Sequence, residues 1–140
     1  MRLATGKLLM IDRITGVWPG RIRASRQVRP TDWYFQAHFY QDPVQPGSLG
    51  LEALIQTLQC YAIHHGIGSE FKQPRFESVP DAVWKYRGQV TPLNQRIETE
   101  VLVKNVEQAG GKYVLHAEGW LWVDGVRIYQ MPRFGLIVSE

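Results

Sequence analysis

Apolar residues recur with a helical spacing along residues 48–65 and with a strand spacing along much of residues 82–138. Leu51, Leu54, Leu58 and Tyr61 stand three and four positions apart, which places them on one helical face. Leu49, Ala53, Ile55, Cys60 and Ala62 fill the other faces, so this helix is apolar nearly all round and belongs inside a protein. Gly66 follows as its stop, with His64 and His65 in the last turn. Residues 82–90 alternate through Val83, Trp84, Tyr86 and Val90, and residues 96–106 through Ile97, Thr99, Val101 and Val103. Gly110-Gly111 reads as a hairpin turn into residues 112–123, and Asp124-Gly125 as a second one, followed by strands over 126–129 and 134–138. Upstream, residues 7–17 and 21–28 are two short extended segments about the turn signal Trp18-Pro19-Gly20. Residues 31–39 are aromatic-rich, and Pro43 and Pro46 stiffen the loop that follows. One buried helix followed by a meander of long strands predicts an α+β domain, an antiparallel sheet wrapped round a long central helix.

Composition adds bounds. At 140 residues the expectation is one domain, residues 1–140, with 44% hydrophobic and 21% charged residues, ordinary for a globular protein. No apolar run approaches the roughly 18 residues of a membrane span, and residues 1–7 lack the apolar stretch of a secretory signal. The single cysteine, Cys60, excludes an internal disulfide and suits a reducing compartment, so a cytoplasmic location is expected. The net charge is +3, with a cluster of Arg21, Arg23, Arg26 and Arg29. A solvated strand face is its commoner explanation; an acidic protein partner or nucleic acid are the sharper ones, and no nucleic-acid motif accompanies it.

The candidate chemistry lies on the helix and just before it. Ser48, Glu52, Gln56 and Gln59 recur at spacings of four, four and three and form a polar stripe on the greasy cylinder. Burying an ionised carboxylate there is costly, which favours the protonated form a general acid requires. A carboxylate solvated near the helix start, in the favourable field of the dipole, explains Glu52 equally well on the helix alone. His38 stands among aromatics, where a packed core role is commoner than a catalytic one. It also precedes Asp42-Pro43-Val44-Gln45-Pro46-Gly47, a stiff loop that aims backbone donors at a helix N-terminus. Gly47, lacking a Cβ, lets a substrate approach the backbone. Base, acid and oxyanion donors within fifteen residues suit proton removal α to a carbonyl.

The run His38-Phe39-x-x-Asp42-Pro43-Val44-x-Pro46-Gly47-x-Leu49-Gly50-Leu51-Glu52-Ala53 resembles the signature of the hot-dog-fold 3-hydroxyacyl-[acyl-carrier-protein] dehydratases. The similarity is strongest to the 3-hydroxydecanoyl dehydratase/isomerase branch and to dehydratase modules of polyunsaturated fatty acid synthases. Leu9-Met10-Ile11-Asp12-Arg13, Gly88-Gln89-Val90-x-Pro92 and Val123-Asp124-Gly125-x-x-Ile128-Tyr129 extend it in order along almost the whole chain. Three positions depart from the isomerase branch: Glu52 stands for its usual aspartate, Ser48 for a frequent cysteine and Gln45 for a methionine.

The resemblance implies a hot-dog fold and dehydration of a (3R)-hydroxyacyl thioester to the trans-2-enoyl thioester, with isomerisation open. His38 is then the catalytic base and Glu52 the acid; the Gly47 N–H stabilises the enolate-like oxygen and the Val44 carbonyl orients the histidine ring, while helical spacing by itself puts Gln56, one turn after Glu52, within reach to hold the carboxyl. Phe39, Trp84 and Tyr86 are candidates for the acyl tunnel, beside the commoner alternative of core packing. Lys104 and Arg133 are candidates for contact with an acidic acyl carrier protein. No metal and no cofactor is expected, the substrate riding on the carrier's phosphopantetheine. The expected assembly is a homodimer or a paired hot-dog domain, with no nucleic acid and no membrane span. The chain reads equally as a stand-alone protein or as a domain of a larger synthase. Two rival functions share the fold: an acyl thioesterase, and a non-catalytic hot-dog domain of a multienzyme.

Overall fold

The computed structural model describes residues 3–39 and 41–140. After a 3₁₀ turn at Gly6–Leu8, the elements are β1 (Arg13–Trp18), β2 (Arg21–Gln27), α1 (Tyr34–Ala37), α2 (Gly47–His64), β3 (Arg75–Ser78), β4 (Val83–Tyr86), β5 (Arg96–Ala109), β6 (Lys112–Val123) and β7 (Val126–Ser139). All strands join one antiparallel sheet in the order β1-β2-β5-β6-β7-β3, with β4 pairing the other end of β7.

The sheet curls round α2 because alternate side chains of the long strands are apolar and the helix offers them an apolar cylinder. Ile22 and Ala24 of β2, Val101 of β5, Leu115 and Leu121 of β6 and Leu136 of β7 are buried with Leu54, Leu58 and Ala62 of α2. Each such side chain contributes roughly 1.5–3 kcal/mol relative to exposure. The helix ends where the residue pattern says it should. Gly66 adopts φ +67°, its N–H donates to Ile63 O at 3.2 Å and the Ile67 N–H to Ala62 O at 2.9 Å. This is a Schellman cap, and the left-handed turn suits a residue without Cβ.

Four expectations change. The first extended segment begins only at Arg13, because Gly6–Leu8 winds into a 3₁₀ turn. β3 carries no alternating apolar signal, lies between Pro74 and Pro80, and exists because Arg75–Ser78 meets the end of β7. The strand expected over 82–90 stops at Tyr86, since Val90 leaves the sheet and its carbonyl accepts the Gln45 N–H at 2.8 Å. The two expected closing segments are one strand, β7, which runs through Pro132. The register shifts there, between Ala117↔Phe134 and Gly119↔Met131, and a bulge tolerates a residue without N–H.

The arginine cluster divides between two faces. Strand alternation sends Arg26 inward, 8% exposed, where it pairs with Asp32 at 2.9 Å and donates to Leu9 O at 2.8 Å. Arg21 and Arg23 share Glu100 at 3.0 and 2.7 Å, and Arg29 lies 3.7 Å from Asp12. The cluster is therefore no continuous basic stripe.

Candidate active site

The site is assembled on the stiff loop and the first turns of α2. His38 closes α1, its N–H donating to Tyr34 O at 3.0 Å. It is clasped twice by Val44. The Val44 N–H donates to His38 O at 2.8 Å, and His38 Nδ1 lies 3.2 Å from Val44 O. A carbonyl only accepts, so in the neutral ring Nδ1 carries the proton and Nε2 keeps the free lone pair, the state of a base. The Phe39 ring stacks on the imidazole, centroids 3.9 Å apart.

Three residues after Val44, Gly47 opens α2. Its N-cap is Pro46, no side chain caps the helix, and its first turn holds no acidic residue. The Leu49 N–H donates to Pro46 O at 3.0 Å, and the N–H groups ahead of it, at the start of an 18-residue helix, are the ones a helix leaves for an anion. Tyr129 fixes this turn from below: its hydroxyl donates to Gly47 O at 3.0 Å. The tyrosine is 4% exposed, and burial pushes its pKa up to about 12, so it stays a donor throughout the physiological range. Gly50 makes the contact possible, because a Cβ there would lie 2.5 Å from the Tyr129 ring.

Glu52 is partly buried. Its Oε1 accepts from Gln56 Nε2 at 3.0 Å, and Gln56 is 0% exposed with its amide engaged at both ends. The same Nε2 donates to Leu8 O at 2.7 Å, while Gln56 Oε1 accepts the Met10 N–H at 2.8 Å. The carboxyl is therefore tied, through one amide, to the chain ahead of β1. Chain geometry keeps Val44 and Glu52 each within about 10 Å of Gly47 along the backbone. Of the polar stripe, Ser48 is exposed, Gln59 partly buried and Gln56 buried.

The other candidates lie elsewhere. Phe39, Trp84 and Tyr86 are 57%, 48% and 59% exposed, so core packing is not their role. Trp84 and Tyr86 stand on β4, which has β7 on one side only. Lys104 pairs with Glu118 at 3.2 Å, and exposed Arg133 lines a cavity of about 210 Å³ with Asp81, His116 and Phe134. Among the described residues no group of three His, Cys, Asp or Glu side chains could hold a metal, and no helix is long and apolar enough to cross a membrane. Tyr129 and the backbone of Leu8 and Met10 carried no expected role. The closing Ile128-Tyr129 of the motif was the one signal for Tyr129.

A curled antiparallel sheet enclosing one helix is the hot-dog fold, as the resemblance implied. The Dehydratase Heterocomplex ApeI:P from Xenorhabdus doucetiae shares it at a TM-score of 0.71 and 9% identity, over 98% of this chain and 87% of that one. A hypothetical thioesterase with coenzyme A from Streptococcus pneumoniae TIGR4 shares it at 0.62 and 11%, over 91% and 84%. Within that fold, the chain belongs to the FabA-like domain family, which it matches over residues 3–132. It is 39% identical over 122 residues to a polyunsaturated fatty acid synthase subunit of Thraustochytrium sp. (strain ATCC 26185 / S-3). That match takes in 82% of this chain and spans 8% of the length of the relative.

Proposed function

We propose that this domain dehydrates a 3-hydroxyacyl thioester borne on the phosphopantetheine of an acyl carrier protein, with His38 as base and Glu52 as acid. Membership of the FabA-like family and the likeness to a polyunsaturated fatty acid synthase support the substrate class. The observation that carries the chemistry is the Nδ1 bond to Val44 O, which leaves Nε2 to take the proton. In the reaction Nε2 removes the C2 proton and negative charge moves onto the thioester oxygen, where the Gly47 N–H meets it. The C3–O bond then breaks as Glu52 gives its proton to the hydroxyl, releasing water and the 2-enoyl thioester. Each positioned proton transfer contributes about 10²–10⁴-fold, and the oxyanion donor about 10²–10³-fold.

The histidine and carboxyl complete one site across two hot-dog domains, in a homodimer or a paired domain. The apolar side chains of β4, Val83 and Trp84 and Tyr86, are exposed in the single chain, which supports a second domain there. Burial pushes the pKa of the half-buried Cys60 thiol up to about 11, which keeps it an unreactive thiol.

The test is incubation with 3-hydroxyacyl thioesters of several lengths, with the alkene position of each product determined. Enoyl thioester should form, and His38→Ala and Glu52→Gln should each abolish it. Release of free thiol without alkene would make the protein a thioesterase and overturn the proposal.

A further inference from the structure

Three cations collect where β4 meets β7. The register sets Lys85 opposite Gln130 and Tyr86 opposite Tyr129, and the Arg87 N–H donates to Ile128 O at 2.8 Å, which brings Arg87 beside Arg127. Lys85, Arg87, Arg127 and Gln130 line a cleft of about 80 Å³, and no carboxylate lines it. Six basic side chains elsewhere are answered by carboxylates: Arg21 and Arg23 by Glu100, Arg26 by Asp32, Arg29 by Asp12, Arg96 by Glu98, Lys104 by Glu118. Among the described residues Lys85, Arg87 and Arg127 join no ion pair. Like charges gathered on a small area repel, and an anion placed among them relieves that repulsion. Three cations with no carboxylate among them suit an oxyanion such as a phosphate ester.

The cleft is also connected to the catalytic loop. Arg87 belongs both to it and to a groove of about 400 Å³ that continues along Tyr86, Gly88 and Gln89. The next residue, Val90, accepts the Gln45 N–H at 2.8 Å, two positions before Gly47. On its other side Tyr86 lies against Tyr129, centroids 5.8 Å apart, whose hydroxyl holds Gly47 O. Tyr86, Tyr129 and Val90 thus link the groove's residues to the turn that opens α2.

We propose that Lys85, Arg87 and Arg127 bind the phosphate ester of the handle that carries the acyl thioester, the handle lying in the groove between them and Gly47. This rests on the thioester reading above and assigns its recognition of the handle to this chain's own cations.

The experiment compares one 3-hydroxyacyl group on 4′-phosphopantetheine, on phosphate-free pantetheine and on a carrier protein. The unaltered protein should favour the phosphorylated handle. In Arg87→Ala/Arg127→Ala, KM for the phosphopantetheine thioester should rise about tenfold, the scale of losing a charge-assisted contact. Turnover of the pantetheine thioester should stay within about twofold, which also shows the variant folds, and Lys112→Ala in the distant β5–β6 hairpin should alter neither. Equal use of both handles by the unaltered protein would overturn the assignment. So would equal loss on both handles, or a loss confined to the carrier-borne substrate, which would mean contact with the carrier's own surface. Titration with 4′-phosphopantetheine itself tests the same contact independently of turnover. Weaker binding to the double variant supports the assignment even for a protein that dehydrates nothing, and absence of binding to the unaltered protein overturns it.

Discussion

Gln56 Nε2 and Glu52 Oε1 lie 3.0 Å apart, one helical turn from each other, and the same amide holds Leu8 O and the Met10 N–H. One side chain therefore both holds the Glu52 carboxyl and satisfies buried backbone at the entry to β1. Gln56→Leu keeps the volume but leaves the Met10 and Leu8 groups without partners, each costing about 1–3 kcal/mol. Denaturant unfolding should show a loss of roughly 2–4 kcal/mol, and kcat should fall about tenfold or more with KM changing less. Unchanged stability in the leucine variant would mean that the latch is not made.

His38 and Val44 make a prediction about a proton. With Nδ1 donating to Val44 O, long-range ¹⁵N–¹H correlation spectra should show the neutral ring protonated at Nδ1 and free at Nε2. His38→Ala should lower turnover by about 10³-fold or more while the partly buried position leaves the fold intact. A ring found protonated at Nε2 would remove His38 as the base.

Tyr129 and Gly50 should prove coupled. Tyr129→Phe removes only the bond to Gly47 O and should cost about 1 kcal/mol. Gly50→Ala drives a Cβ to 2.5 Å from the Tyr129 ring and should cost about 1–3 kcal/mol or more by overpacking. Adding Tyr129→Ala to Gly50→Ala relieves the clash, so the double variant should lose less than the two single losses together. Simple additivity in thermal unfolding would contradict the contact.

Asp124 gives the acid limb of stability a specific contributor. The backbone N–H of Arg96, the Asn94 side chain and the Gln95 N–H, at 2.9, 3.0 and 3.1 Å, hold its pKa below the usual 3.8. The unfolded chain therefore takes up a proton before the folded one does. The resulting stability is present above about pH 4 and lost as pH falls through the lower folded value. The group is exposed, so screening keeps the effect to a few tenths of a kcal/mol. Asp124→Asn should lower Tm slightly at pH 7 and flatten the decline of Tm below pH 4; an unaltered acid limb would exclude this role.

Much of the site could be read in advance because it is local. His38, Val44, Gly47, Glu52 and Gln56 fall within nineteen consecutive residues, where two prolines set the loop and the 3.6-residue period sets which side chains align. The 52–56 contact follows from the helical period, while the 38–44 contact was implied by the family resemblance. The cap at Gly66 and the hairpins at Gly110-Gly111 and Asp124-Gly125 were legible for the same reason, a turn's demand on backbone geometry being met by adjacent residues.

Other features depended on partners far along the chain. Tyr129 reaches Gly47 across 82 positions and Gln56 reaches Leu8 across 48. β3 forms because β7 extends far enough to receive it, and β7 stays whole because a bulge absorbs Pro132. The inward turn of Arg26 is a matter of strand phase. Its charge is acceptable there because Asp32 and Leu9 O wait for it. The gathering of Lys85, Arg87 and Arg127 likewise exists only once β4 has taken its register on β7. Periodicity and turn chemistry, being properties of neighbouring residues, were written into the chain from the start. Pairing partners, register and the neutralisation of charge arise when distant segments meet, since a hydrogen bond or ion pair is set by separation in space.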